Sequence, residues 1–302
     1  MSEGVAAGRV VVVTGAGNGI GRAHALAFAA EGAKVVVNDL GGARDGGGAS
    51  AGPAQAVVDE IIAAGGEAVP STDDIASWDG AERLVRQAVD TYGGLDVLVN
   101  NAGILRDRTI VSMTEQDWDS VVAVHLKGTA ATLHHAAAHW RARTKAGHAN
   151  DARVINTTSP SGVFGNPGQS NYGSAKAGIA ALTIMAAAEL ARYGVTVNAI
   201  APTALTRLTE DIEVMKQAAE SQDLSPEAIS PLVVWLGSAA SREVTGRVFG
   251  AVGNRITVLE GWVNGPGASA ESRWTPEELT SVVPNLVAKA APNADALGNR
   301  RG

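Results

Sequence analysis

Short β-branched runs alternate with longer alanine-rich stretches along all 302 residues. Residues 9–13 (Arg-Val-Val-Val-Val) and 34–39 (Lys-Val-Val-Val-Asn-Asp) are short, continuous and apolar, the pattern of strands buried on both faces. The same pattern predicts strands over 67–71, 95–99, 153–158, 195–200 and 248–252. Helices are expected over 22–31, 53–64, onward from about 78, and over 114–143, 171–193 and 226–240. Thr114 followed by Asp117 reads as the cap of the fourth. A last short helix starts at Thr275-Pro276-Glu277-Glu278, and 293–302 is expected to fray. Strand and helix alternate without an internal repeat or a break in composition. The expectation is therefore an α/β chain with one doubly wound domain, a mostly parallel sheet and helices on both faces. That domain covers 1–265, with 266–302 as a C-terminal extension packed on or near it.

The turn after the first strand is Thr14-Gly15-Ala16-Gly17-Asn18-Gly19-Ile20-Gly21. Strand, Gly-rich turn, helix, strand and acidic residue form a dinucleotide-binding unit. The glycines let the backbone approach a pyrophosphate, and the helix N-terminus offers N–H groups and partial positive charge. Thr14, Gly15, Gly17, Asn18, Gly19, Ile20 and Gly21 are thus candidate cofactor contacts. Asp39 ends the second strand, where its carboxylate can accept from ribose hydroxyls and would repel a 2′-phosphate, favouring NAD over NADP. Asp74, beside Ile75, either meets the adenine or caps the helix that follows. Asn101, Ala102 and Gly103 suit a chain bending sharply beside a ligand. Residues 41–53 form a glycine-rich flexible loop. Residues 203–225 are polar and mixed, a mobile segment over the site.

Ser159, Tyr172 and Lys176 supply a hydroxyl, a phenol and an amine. Tyr172 and Lys176 share one helix face, and the ammonium is expected to lower the phenol's pKa toward the working pH. That is a general acid/base. Composition narrows the partners. Net charge is −7, and no Lys/Arg-rich run marks a nucleic-acid footprint. The chain has no cysteine, so no disulfide or thiolate chemistry is available. His135 and His139 lie four apart but lack the glutamate of a zinc-protease signature. No metal is expected, and the histidines of that helix read as a solvated face. No apolar run approaches membrane-spanning length and the N-terminus is no signal peptide, so a soluble, cytoplasmic protein without membrane contact is expected.

Four separated motifs now coincide: Thr14-Gly15-x-x-x-Gly19-x-Gly21, Asn100-Asn101-Ala102-Gly103, Ser159 with Tyr172 and Lys176, and Asn198-x-Ile200-x-Pro202. Together they resemble the short-chain dehydrogenase/reductase family over about residues 10–265. The resemblance implies a Rossmann-type domain with a seven-stranded parallel sheet of order 3-2-1-4-5-6-7. It also implies a homodimer or homotetramer, with helices 114–143 and 171–193 between subunits. Residues 38–42, 100–108, 125–128 and 165–172 are further similar to the NAD-dependent (3R)-hydroxyacyl-CoA dehydrogenase units of type 2 peroxisomal multifunctional enzymes. Fuller members of that group carry hydratase and sterol-carrier domains, so a stand-alone dehydrogenase is expected here.

By that resemblance Tyr172 is the acid/base, Lys176 also contacts the nicotinamide ribose, and Ser159 holds the substrate oxygen. Thr203 or Thr206, after Pro202, would meet the carboxamide. His125 stands where most members carry the asparagine of a proton relay. Arg106 and Arg108 are either phosphate contacts or a solvated loop pair. The implied reaction interconverts a secondary alcohol and a ketone, with (3R)-3-hydroxyacyl-CoA and 3-oxoacyl-CoA as the first choice of small-molecule substrate. A steroid, terpenoid or other carbonyl compound is the alternative. A non-catalytic NAD-binding regulator would need no Tyr172–Lys176 pair.

Overall fold

The computed structural model describes residues 4–42, 45–48, 50–205, 222–296 and 298–300. Its strands are β1 (Val10–Thr14), β2 (Lys34–Asn38), β3 (Glu67–Ser71), β4 (Val97–Asn100), β5 (Ala152–Thr157), β6 (Val195–Thr203), β7 (Val248–Val252) and β8 (Arg255–Leu259). They form one sheet of order β3-β2-β1-β4-β5-β6-β7-β8. The first seven are parallel, and β8 runs antiparallel to β7. The expected seven-stranded sheet thus gains an eighth strand. Its signal was present: Gly253-Asn254 separates two short β-rich runs, a two-residue hairpin connection. Gly253 takes φ +51° to make the turn.

Continuous apolar strands follow from burial on both faces. Val11 and Val13 join one core cluster with Phe28, Val35, Ile61 and Leu236. Val10 and Val12 join the other with Leu84, Leu98, Trp140 and Val154. Helices α1 (Gly19–Ala30), α2 (Gly52–Ala63) and α8 (Ser230–Gly237) contribute to the first cluster, and α3 (Trp78–Tyr92), α5 (Gly128–Lys145) and α7 (Ser170–Leu190) to the second. Between lie α4 (Glu115–Val122) and the short α6 (Pro160–Val163). The order turns back between β1 and β4, and ligands of such sheets bind beside the strand ends at that point.

The helix expected over 114–143 is interrupted. After α4, with its Thr114/Asp117 capping box, a π turn spans Ala123–Lys127 before α5 continues. The wider turn carries the buried His125, a placement typical of functional positions. The stretch expected as one helix over 226–240 likewise divides into a 3₁₀ turn (Pro226–Ile229), α8 and a second 3₁₀ turn (Ala239–Ser241). Contrary to the sequence expectation, Ser170–Tyr193 is long and apolar enough to cross a membrane, with mean hydropathy 1.3. Its apolarity has another use: Ile179, Ala186, Ala187 and Leu190 are buried against the sheet.

The histidine face of α5 is not simply solvated. Trp78 of α3 lies 5.0 Å from the His134 ring and 5.5 Å from that of His135, because α3 packs there. Among the described residues no group of three metal-ligating side chains occurs. The last helix, α9 (Pro276–Lys289), buries none of its residues. The tail does not fray where it is described. Ala294 and Arg300 form an antiparallel bridge, Asn299 N donates to Asp295 Oδ1, and Gly298 lies so close to the Phe164 ring that a Cβ would come within 2.7 Å.

Candidate active site

The Gly-rich turn is closed by contacts that leave no room for side chains. A Cβ on Gly21 would lie 2.2 Å from Gly15 O and 2.4 Å from Asn101 Nδ2. One on Gly15, at φ +62°, would lie 2.6 Å from Ala102 Cα, and one on Gly17 would lie 2.8 Å from the Asp39 carboxylate. Asn18 is the N-cap of α1 and makes no side-chain cap bond, so its first turn keeps the uncapped N–H donors that suit a phosphate. The residues present therefore fit a dinucleotide. Asp39 accepts from Gly17 N and from Gly41 N, both at 2.7 Å. A carboxylate has about four acceptor sites, so about two stay open for a ribose.

Several predicted contacts also have structural duties. Asn101 Nδ2 donates to Thr14 O at 3.0 Å and Gly15 O at 3.1 Å, while Thr14 Oγ1 accepts from Asn101 N and Ala102 N. These bonds lock β4's end to the turn. Asp74 does not cap α3. Ser77 does, accepting from Gly80 N, and Asp74 Oδ1 accepts from Ala76 N. Ile75 is buried against Gly128. Gly19 and Ile20 open α1 at half-buried positions. Pro202 and Thr203 end β6, paired with Ala251 and Val252. Thr206, and most of the segment expected to be mobile, lie outside the described residues.

The ends of β5 and α7 bring the reactive side chains together. Ser159 follows β5 and N-caps α6, its Oγ accepting from Ser161 N at 3.2 Å. Its O–H, the one donor it has, bonds to the Tyr172 phenol. Lys176 is 3 % exposed, and its Nζ donates to Thr157 O at 2.6 Å and sits 5.6 Å from the centre of the Tyr172 ring. Burial pulls its pKa down to about 7. The Tyr172 phenol is not lowered, contrary to expectation. Burial pushes it up first, a hydrogen bond with Ser159 pulls it down, and the charge of Asp107 pushes it up. Desolvation of the phenolate outweighs the favourable contacts in the protein alone.

His125 lies 5.1 Å from the Tyr172 ring, edge to face. Its Nε2 is 3.1 Å from Ile104 N and 2.8 Å from Ile104 O, and its Nδ1 is buried without a partner. Burial, then the charge of Lys176, drops its pKa to about 3, so the ring is neutral at working pH. Gly103 exists for this ring: a Cβ there would lie 2.3 Å from His125 Cε1.

Sequence reasoning missed the polar frame behind these groups. Thr132 Oγ1 donates to Asn100 Oδ1, Asn100 Nδ2 to Asn156 Oδ1, and Asn156 Nδ2 to Thr183 Oγ1. The chain of bonds ties α5, β4, β5 and α7 inside the core. The signal was two asparagines in strands otherwise apolar, which need buried partners. The arginine pair also separates. Arg106 donates to Asp45 O at 2.9 Å and pairs with Asp117 at 3.9 Å. Arg108 is exposed, and its side chain donates to Asp107 O. Both line a cavity of about 360 Å³ with Asp45, Leu105, Asp107 and Asp117.

Known proteins resemble this chain. Residues 9–217 match the family model described as short chain dehydrogenase. Hydroxyacyl-CoA dehydrogenase ChsB1 of Mycobacterium tuberculosis is 42 % identical over 299 residues, covering 94 % of this chain and 90 % of that protein. Peroxisomal multifunctional enzyme type 2 of Mus musculus is 45 % identical over 76 % of this chain but only 30 % of its own length. The crystal structure of a short chain dehydrogenase from Mycobacterium avium superposes with TM-score 0.87 at 57 % identity, covering 96 % of this chain and 98 % of that one.

Proposed function

This chain belongs to the short-chain dehydrogenase family, oxidoreductases acting on CH–OH groups, and we propose that it interconverts (3R)-3-hydroxyacyl-CoA and 3-oxoacyl-CoA with NAD. The observation that carries the reading is the convergence of Ser159, Tyr172 and Lys176 at the end of β5, at the same edge of the parallel sheet as the Gly-rich turn. The names of the relatives, hydroxyacyl-CoA dehydrogenase and peroxisomal multifunctional enzyme, support the substrate class.

When bound, the nicotinamide exchanges the hydride. The chain's own residues handle the oxygen and its proton. The Ser159 O–H, which bonds the Tyr172 phenol in the protein alone, turns to the substrate oxygen and fixes it beside that phenol. In oxidation the Tyr172 phenolate takes the hydroxyl proton; in reduction the phenol returns it. Lys176 has about three donors and spends one on Thr157 O, leaving two for ribose hydroxyls. Its charge and the oxidised nicotinamide's both favour the phenolate that burial disfavours. Asp39, with open acceptor sites beside Gly17, supports NAD over NADP. Arg108, the more exposed arginine of the pair, is the side chain offered to a CoA phosphate. Subunit association through α5 and α7, where Ile184 and Met185 are exposed, accords with the family.

Steady-state rates with NAD⁺, NADP⁺ and a series of 3-hydroxyacyl-CoAs test the reading. Turnover of the R enantiomers with NAD⁺ is expected. No turnover at any chain length would overturn the acyl-CoA assignment.

A further inference from the structure

Asn171 is the second residue of α7, fully buried and immediately before Tyr172. Its Nδ2 donates to Arg106 O at 2.9 Å and to Asp117 O at 3.0 Å, and its Oδ1 accepts from Tyr172 N at 2.8 Å. Both amide hydrogens and the amide oxygen are thus in use. The first-turn N–H groups of a helix lack partners within it, and Gln169, the N-cap of α7, makes no side-chain cap bond. Asn171 therefore does what the cap does not: it satisfies the Tyr172 N–H and fastens that turn to two other segments.

Those segments lead back to the phenol by a second route. Arg106 O belongs to the loop after β4, whose Ile104 is held by His125 and whose Asp107 accepts from Gln169 Nε2 at 2.9 Å. Asp117 O belongs to the first turn of α4, which runs into the π turn carrying His125. The His125 ring then meets the Tyr172 ring edge to face. The result is a closed circuit: Tyr172 backbone, Asn171, loop and α4, His125, Tyr172 ring.

We infer that Asn171 is a positioning residue for Tyr172, and that with His125 it closes a two-sided clamp that fixes the backbone and the ring of the acid/base together. A displacement of about 1 Å at a reacting group can cost about a hundredfold in rate, so the clamp acts on turnover more than on binding. The inference rests on the dehydrogenase reading only for its turnover readout.

The test compares Asn171→Ala and the isosteric Asn171→Asp with Asn150→Ala. Asn150 is a comparable staple away from the cleft, with its Nδ2 donating to Trp140 O and Tyr193 O. The chain has three tyrosines, so in fluorotyrosine-labelled protein the Tyr172 resonance is assigned by its loss in Tyr172→Phe. In both Asn171 variants the Tyr172 fluorine resonance is expected to shift or broaden. Turnover per folded protein should fall about tenfold or more, with KM for NAD⁺ changed less than about twofold. Asn150→Ala should lower Tm and leave both unchanged. Asn171→Asp, which keeps the acceptor for Tyr172 N but sets an oxygen against two carbonyls, decides the matter should Asn171→Ala not fold. A lower Tm with an unmoved Tyr172 resonance and wild-type turnover would overturn the clamp. A wild type without turnover on any hydroxyacyl-CoA would sink the functional reading, while the resonance still judges the clamp.

Discussion

The proposed cofactor half and substrate half of the site are built by opposite means. The first depends on side chains that are missing: Gly15, Gly17 and Gly21 sit where a Cβ would meet backbone or carboxylate within 2.2–2.8 Å. The second depends on side chains that reach far: Asn171 bonds positions 54 and 65 residues away, and Gln169 one that is 62 away. A missing side chain tolerates no substitution but needs no partner. A reaching one needs several partners, so its loss spreads through the loop that it holds. The two halves should therefore fail differently.

The largest effect is expected at the chemistry itself. Tyr172→Phe removes the proton carrier and keeps the ring against His125, so turnover should fall by about 10²–10⁴. Equilibrium NAD binding should be retained. Loss of both turnover and binding in a folded variant would place the phenol in cofactor binding rather than in proton transfer.

Next comes the cofactor half. Gly21→Ala forces a methyl to within 2.2 Å of Gly15 O. Backbone must move, at a cost of about 2 kcal/mol or more, and the pyrophosphate seat moves with it. Titration of NAD against the purified variant should show binding lost together with a lower Tm. Wild-type affinity would show that the turn has slack that the geometry denies.

This contrast also explains what was legible in the sequence. The Gly-rich turn, Asp39 and the Tyr172–Lys176 pair could be proposed from the sequence because each depends on backbone geometry or on spacing along one element, whereas Ser159 joined them through the family resemblance. Most strands were legible because burial on both faces forces continuous apolar runs, as in β1 and β2, whereas β3 (Glu-Ala-Val-Pro-Ser) is partly exposed and has no such run. β8 buries none of its residues, so it lacks a buried run, and the Gly253-Asn254 turn is its plainer mark. The π turn left no pattern, since one extra residue in a helix does not disturb an alanine-rich sequence. The double duty of Asn101, and the link from Asn171 to Arg106 and Asp117, depend on which loops the fold brings together. The direction of the Tyr172 shift differs from the expectation for a related reason: spacing places Lys176 nearby, but only the folded core sets the desolvation that pushes the phenol up.

A third, smaller effect concerns acid. His24 is buried with Nδ1 bonded to Ser230 Oγ at 2.9 Å, and burial drops its pKa to about 3. His125 is likewise at about 3. Both folded values lie below the usual 6.5, so the unfolded chain takes up these protons first. Stability contributed by the neutral rings is complete above pH 6.5 and declines as pH falls toward 3. Between about pH 6.5 and 5 the loss should be on the order of 2 kcal/mol for each ring. Urea midpoints across that range check it, and His24→Leu should flatten the decline. An unchanged slope in that variant would assign acid sensitivity elsewhere.

The smallest effect separates the two halves most cleanly. Asp39→Asn keeps an acceptor for Gly17 N–H or Gly41 N–H but removes the charge that faces a 2′-phosphate. The ratio of kcat/KM for NAD⁺ over NADP⁺ should drop about tenfold, since one lost charge at an exposed site is worth about 1.4 kcal/mol or less. KM for the acyl-CoA should not change. Arg108→Ala is the mirror experiment. It should raise KM for a CoA thioester a few-fold, by about the 0.5–1 kcal/mol of an exposed charged contact. It should leave the NAD⁺/NADP⁺ ratio and the KM for a pantetheine thioester, which lacks the nucleotide phosphates, as they were. If Arg108→Ala moved the cofactor ratio, or Asp39→Asn moved the thioester KM, the halves would be coupled through the Arg106–Asp45 bond that joins their loops. The division between a cofactor half set by glycines and a substrate half set by long-range bonds would then have to be abandoned.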